Sequence, residues 1–335
     1  MVVTLIAACV GWITWDRFAG HESYTEHVML TDDVALFTSA ERARLRNYHR
    51  AILDAYDIDY RILTITSKIN LNLHAAKAFK SLRVGALSDG KRGLLLMISP
   101  RESKVRLEVG RSLEGIYTDA FVSYIERRQL VPFFRAGRVA DGVLATTELI
   151  ASRATEAGAG REFEPPETAR LEASVGGGAT TSVDIGAGYQ PLAGGAETIA
   201  SDGSPIEIVN RYVDAMARGN ADPNLSIYSI ASRRMLADWV VTDAQMTSLA
   251  EAYAKCRVQD AKISADLAVV RYPFKQRQCA PFFFVREDGE WRLDLTVMTR
   301  LIRFNQRNSW RFPNGAGRFA FAFTDWRFDE HGFPY

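Results

Sequence analysis

Apolar and polar positions along this chain alternate between two periods, and the points where the period switches mark out its elements. After Thr38, residues Leu45, Tyr48, Ile52 and Tyr56 recur at one-turn spacing, and Thr38 with Glu41 makes the capping box that starts such a helix. Residues 60–66 are rich in β-branched and aromatic side chains and predict a strand. A second helix over 73–82 separates it from residues 93–99, an uninterrupted apolar run of the kind found in a parallel strand covered on both faces. Residues 104–109 alternate instead, with Val105, Leu107 and Val109 against Arg106 and Glu108, which predicts an edge strand paired to the central one through a turn at 100–103. Thr118 then caps a helix in which Phe121, Val122 and Ile125 share a face and which Pro132 ends, and a last helix spans 140–151. Helices alternating with strands imply an α/β layered sheet.

The pattern breaks over 156–203, which holds ten of the 24 glycines together with Pro165 and Pro166 and few large apolar residues. It reads as a flexible Gly-rich linker. A second domain opens at Ser204, an N-cap followed by Pro205 and by Glu207 to complete a capping box; Ile208, Tyr212 and Met216 line one face and Gly219 stops the helix. Helices over 230–240 and 243–255 follow, the latter capped by Thr242 and Gln245. Strands are predicted at 263–272 and 280–287, and Asp288-Gly289 before Trp291-Arg292-Leu293 is a hairpin turn. Phe319, Phe321 and Phe323 alternating with Ala320 and Ala322 predict one more strand in the aromatic tail. The expected division is 1–17 as anchor or signal, 28–152 as an α/β domain, 156–203 as linker, 204–308 as an α+β domain with a curved antiparallel sheet, and 309–335 as the tail.

Residues 2–15 are uncharged and apolar, and read as a membrane segment. Fourteen helical residues cover about 21 Å against a bilayer core of about 30 Å, and no Lys or Arg precedes them, so the expected natural start lies upstream of Met1. A cleaved signal, a lipoprotein modified at Cys9 and a buried core helix are the other readings of this run; both domains are extracytoplasmic in all but the last. Composition narrows the rest. With 47% hydrophobic and 24% charged residues, wholesale disorder and a multi-span membrane protein are excluded. Lys and Arg number 41 against 40 Asp and Glu, leaving no net field to hold nucleic acid. Three Cys and five His show no CxxC or HExxH spacing, which excludes a zinc site. Cys256 and Cys279 flank the first strand of the second domain; they form a candidate disulfide of about 3 kcal/mol in an oxidising compartment, or remain two buried thiols.

The segments 33–39 (DVALFTS), 92–96 (RGLLL), 106–110 (RLEVG) and 113–120 (LEGIYTDA) together resemble the TPM domain, over about 28–152. That family includes thylakoid-lumen proteins, a receptor accessory protein and many membrane-anchored bacterial envelope proteins. The resemblance implies a Rossmann-like αβα sandwich on the non-cytoplasmic side, with divalent-metal binding in some members and acid phosphatase activity in a few. Two departures stand out: Gly110-Arg111-Ser112-Leu113-Glu114-Gly115 lacks the family's middle glycine, and Lys91-Arg92-Gly93 stands where the family has Asp-Asn-Gly. The second domain resembles, by pattern alone, the nuclear-transport-factor-like (SnoaL-like) cone over 204–308.

Asp33, Asp89, Glu114 and Asp119, with Asp32, all fall on connections and are the candidate metal ligands; oxygen donors without His or Cys select calcium or magnesium over zinc. Ordinary helix capping accounts for the same residues, and Lys91 or Arg92 beside a cation opposes its binding. Arg92, Arg106 and Arg111 are the candidate phosphate contacts. Neither Ser99 nor Ser112 has a neighbouring base, His49 and His74 read as exposed or hydrogen-bonded, and Ile116 and Tyr117 at the Lys and Ser/Thr positions of a Walker frame exclude a nucleotide. The sequence therefore predicts a membrane-anchored, periplasmic accessory or scaffold module in envelope protein assembly or quality control. It would work with a protein partner there and with the option of a bound divalent cation. The alternative is a metal-dependent phosphatase acting on phosphate esters with low specificity. The sequence does not set the oligomeric state.

Overall fold

The computed structural model describes residues 29–66, 70–165, 181–182, 184–189, 199–256, 260–304 and 309–335. The apolar segment 2–15 lies outside them, as does Cys9. Among the described residues, no helix is long and apolar enough to cross a membrane. Those up to 189 form one compact unit and those from 199 onward a second.

The first unit is built on a five-stranded sheet in the order β1-β2-β3-β4-β5. Strands β1 (Leu30–Asp32), β2 (Asp59–Thr64) and β3 (Gly93–Ser99) are parallel, and β4 (Lys104–Val109) runs antiparallel to β3. Every residue of β3 is buried, as its unbroken apolar sequence requires of the central strand. The helix α1 (Ser39–Tyr56) starts at the Thr38–Glu41 capping box, α2 (Leu71–Ser81) at Asn70, and α3 (Asp119–Ile125) at Thr118. His49 on α1 is fully buried against the ring of Tyr60, 4.5 Å away, rather than exposed.

Pro132 does not end the helical run. A π turn over Glu126–Leu130, in which the Val131 N–H reaches back to the Glu126 carbonyl, leads directly into α4 (Val131–Arg135), so Pro132 sits in a continuous helical run just after the widened turn. Helix α5 (Val139–Gly158) is longer than its apolar pattern suggests. The expected linker is not wholly detached either: β5 (Thr181–Ser182) pairs with the outer edge of β4, setting Thr181 opposite Val105 and Ser182 opposite Lys104.

The second unit opens with α6 (Pro205–Ala217), followed by α7 (Ile230–Ala237) and α8 (Asp243–Ala254). A four-stranded antiparallel sheet comes next in sequential order: β6 (Asp260–Ser264), β7 (Leu267–Arg271), β8 (Phe282–Glu287) and β9 (Glu290–Leu293). The single strand expected over 263–272 is two strands, turning at Ala265 with φ +49°. Asp288 and Gly289 both have positive φ, as a two-residue hairpin between right-twisted strands needs. Short α9 (Leu295–Leu301) and the two-residue strands β10 (Arg303–Phe304) and β11 (Trp310–Arg311) complete the regular elements. Cys256 and Cys279 are joined as a disulfide, with a sequence separation of 23.

The tail is part of this unit's core. Phe282 and Phe283 alternate across β8: Phe282 meets the rings of Tyr212 and Tyr253 on the helical side, and Phe283 those of Phe312 and Phe319 on the other. Residues Gly317–Phe323 form a 3₁₀ helix instead of the expected strand. With three residues per turn, Ala316, Phe319 and Ala322 fall on one buried face, so a Phe/Ala alternation is compatible with the tighter helix. Buried Arg271 locks the tail in place. Its guanidinium bonds Asp260 (2.8 and 3.1 Å), Asp325 (2.5 and 2.7 Å) and the Ala322 carbonyl (2.7 Å), and lies 4.8 Å over the Trp326 ring. Arg271→Met is expected to cost about 2 to 3 kcal/mol and to open the segment after 309 to protease. Cleavage kinetics unchanged from the parent would refute the clamp.

Candidate functional site

The register of the sheet divides the candidate acids between its two ends. Asp32 pairs with Thr64, which pairs with Ile98; Gly93 pairs with Asp59 and its neighbour Leu94 with Val109. Asp32 and Asp33 therefore lie at the carboxyl ends of the parallel strands, while Asp89, Glu114 and Asp119 belong to loops at the opposite end. Five residue steps along β3 separate the two rows, roughly 17 Å at about 3.3 Å per residue. Among the described residues, no group of three or more His, Cys, Asp or Glu side chains is placed to hold a metal ion. The antiparallel direction of β4 carries Glu114 and Asp119 to the end of the sheet opposite Asp33.

At the carboxyl end, Asp32 is fully engaged in folding its own loop. Its carboxylate accepts the Leu36 and Phe37 N–H groups (2.9 and 3.1 Å) and the Thr64 hydroxyl (3.0 Å), and pairs with Arg42 at 3.2 Å. Asp33 beside it is exposed.

The other end is a pair of interlocked loops, 82–92 and 110–118. Arg61 and Asp59 stand two residues apart on β2, hence on one face, and make a two-pronged buried ion pair at 2.6 and 2.8 Å. Arg61 also donates to the Leu82 and Arg83 carbonyls at the end of α2, and Asp59 accepts the Gly85 and Leu87 N–H groups. Asp57, at the left-handed C-cap of α1, accepts the N–H groups of Asp89 (2.8 Å) and Gly90 (2.9 Å). Burial pushes the Asp57 carboxyl up, but these N–H groups, Ser88 and Arg92 outweigh it and hold the pKa below the usual range.

The glycines are there for close approach. A Cβ on Gly93 would come within 2.9 Å of the Phe79 ring and 2.8 Å of the Gly85 nitrogen, and one on Gly110 within 2.9 Å of the Gly93 carbonyl. Both departures from the family pattern meet in one contact, the Ser112 hydroxyl donating to the Lys91 carbonyl at 3.0 Å. That bond joins the two loops.

Of the candidate phosphate contacts, Arg92 and Arg111 share this end with Asp89, Glu114 and Asp119. Arg106 does not: it lies mid-strand, paired to Glu108 at 2.6 Å and donating to Asn72 at 2.8 Å. Asp119 stands in the first turn of α3, beside a Thr118 hydroxyl that already caps the Phe121 N–H. Asp89, Lys91, Arg111, Glu114 and Asp119 are exposed, and Ser112 spends its hydroxyl proton on a carbonyl with no base beside it. Such an arrangement holds a mixed-charge surface rigid; it does not activate a nucleophile. Asp57, Asp59 and Arg61, which build it, were legible only as an Asp-x-Asp-x-Arg alternation leading into an apolar strand.

Residues 30–153, a little over a third of the chain and reaching from β1 to near the end of α5, match the family model described as the TPM domain. The chain is also similar to the solution structure of the N-terminal domain of a protein from P. gingivalis, at 23% identity and a TM-score of 0.36, over 42% of this chain and 90% of that one. No curated protein matches.

Proposed function

We propose that this TPM-domain protein is an extracytoplasmic accessory module, tethered to the membrane by residues 1–17, whose loop surface around Asp89, Lys91, Arg111, Glu114 and Asp119 binds a protein partner in envelope assembly or quality control. The observation that carries the compartment is the Cys256–Cys279 disulfide, because such bonds persist where the surroundings are oxidising. The accessory role is supported by the way backbone N–H groups and ion pairs hold the two loops rigid while leaving their charges exposed.

Cell fractionation with thiol labelling tests the compartment. The full chain is expected in the membrane fraction, with the peptides bearing Cys256 and Cys279 labelled by maleimide only after reduction. A cytosolic pool labelled without reduction would overturn it. Calcium titration followed by heteronuclear NMR, run beside a phosphate-ester assay, tests the role. Turnover that is lost in Asp119→Asn would replace the accessory reading with the phosphatase; no turnover with or without a calcium-induced shift at Glu114 and Asp119 supports it.

A further inference from the structure

Beyond the loop surface, the segment 181–188 docks on the first unit through a single buried carboxylate. Strand β4 would be the open edge of the sheet, and β5 covers only its first two residues. Past them, the Leu107 N–H is met by Glu126, whose Oε1 accepts it at 2.7 Å while Oε2 accepts the Thr181 hydroxyl at 2.6 Å. Glu126 is 2% exposed and opens the π turn that aims its side chain at the edge. A few residues on, the Gly186 and Gly188 N–H groups donate to the Phe134 and Arg135 carbonyls at the end of α4, both at 2.9 Å, the former sharing its acceptor with the Gly137 N–H.

We propose that residues 181–182 and 184–188 belong to a releasable strap whose docking is governed by the protonation of Glu126. Among the described residues, the strap is held by a two-residue strand, one hydroxyl and two backbone bonds, a smaller set than the core strands share, which places it toward the low end of local stability.

The sign follows from linkage. Burial pushes Glu126 up to about 7, against the opposing pulls of the Thr181 hydroxyl, the Leu107 N–H, Arg106 on β4 and Arg127 on its own turn. Release admits water and returns the carboxyl toward the ordinary range of about 4.5. Closure is then fully favoured below about pH 4.5 and weakens as the pH rises, up to about tenfold per unit, until about 7. Glu126→Gln keeps an acceptor for Leu107 and gains a donor for Thr181, without a titrating proton.

Hydrogen exchange of the full chain at pH 5 and pH 8, corrected for intrinsic rates, tests this. Protection of the 181–188 amides is expected to fall at least tenfold from pH 5 to 8 in the parent and to stay level in Glu126→Gln, while residues 93–99 keep equal protection in both. Absence of protection at pH 5, or the same fall in Glu126→Gln, overturns the strap. A parallel loss at 93–99 also overturns it, since the event would then be unfolding of the whole unit.

Discussion

Replacing Arg61 by Met is expected to destabilise the first unit by about 3 to 5 kcal/mol, the range found when one partner of a buried ion pair is removed. The side chains of Arg61 and Asp59 are 3% and 0% exposed, so the carboxylate left behind has no water to take the place of the lost guanidinium. The Leu82 carbonyl loses the guanidinium as its donor in the same step, and the Arg83 carbonyl is left with the Ala86 N–H. Asp59 also holds the Gly85 and Leu87 N–H groups, so the damage should spread along 82–92 and reach the contact between Ser112 and Lys91. Urea unfolding of the full chain, read by hydrogen exchange at residues 93–99, measures it. The double variant Asp59→Asn with Arg61→Met should recover part of the loss, because no charge is then buried alone. A single-variant cost below about 1 kcal/mol would mean that water reaches Asp59.

Acid should weaken the same unit through His49. Burial pushes its imidazole down to about 3, against the opposing influence of the Met29 backbone and the Asp59 charge. A base whose pKa is lowered on folding contributes fully above its ordinary value of about 6.5, and that contribution drains away as the pH falls toward about 3. The slope between them is about 1.4 kcal/mol per pH unit, or about 3 kcal/mol from pH 6.5 to pH 4. Glu126 acts in the opposite sense above about 4.5, so the informative quantity is the difference between the parent and His49→Phe, which keeps a ring against Tyr60 and cannot take a proton. From pH 4.5 to pH 7.5 the parent should gain about 3 kcal/mol more in urea unfolding than His49→Phe does, whatever net slope Glu126 leaves in each. Equal slopes in the two proteins would show that His49 gains a solvent path before it protonates.

The candidate acids show where sequence reading reaches its limit. Each of Asp33, Asp89, Glu114 and Asp119 does sit on a connection, because Asp, Gly and Thr at these points interrupt apolar periods. Which end of the sheet a connection serves depends on strand direction, and direction is settled by pairing between segments that are distant in the chain. Asp59 and Arg61 illustrate the converse. Charged residues within a strand look like solvent-facing positions until the structure shows them buried as an ion pair that the Leu82 and Arg83 carbonyls and the Gly85 and Leu87 N–H groups complete. The bond from the Ser112 hydroxyl to the backbone carbonyl at Lys91 likewise joins two loops that lie apart in the sequence.

Local chemistry alone determined the capping boxes at Thr38, Ser204 and Thr242, the buried run of β3, the half-wet alternation of β4 and the Asp288-Gly289 turn, because each depends on neighbours within a few residues. Tertiary structure decided the rest: the two-ended placement of the acids, the burial of His49, the strap on β4, and the tail as a 3₁₀ layer clamped by Arg271. In each of these the controlling interaction joins residues tens of positions apart, and its energy comes from excluding water between surfaces that meet only when the chain has folded.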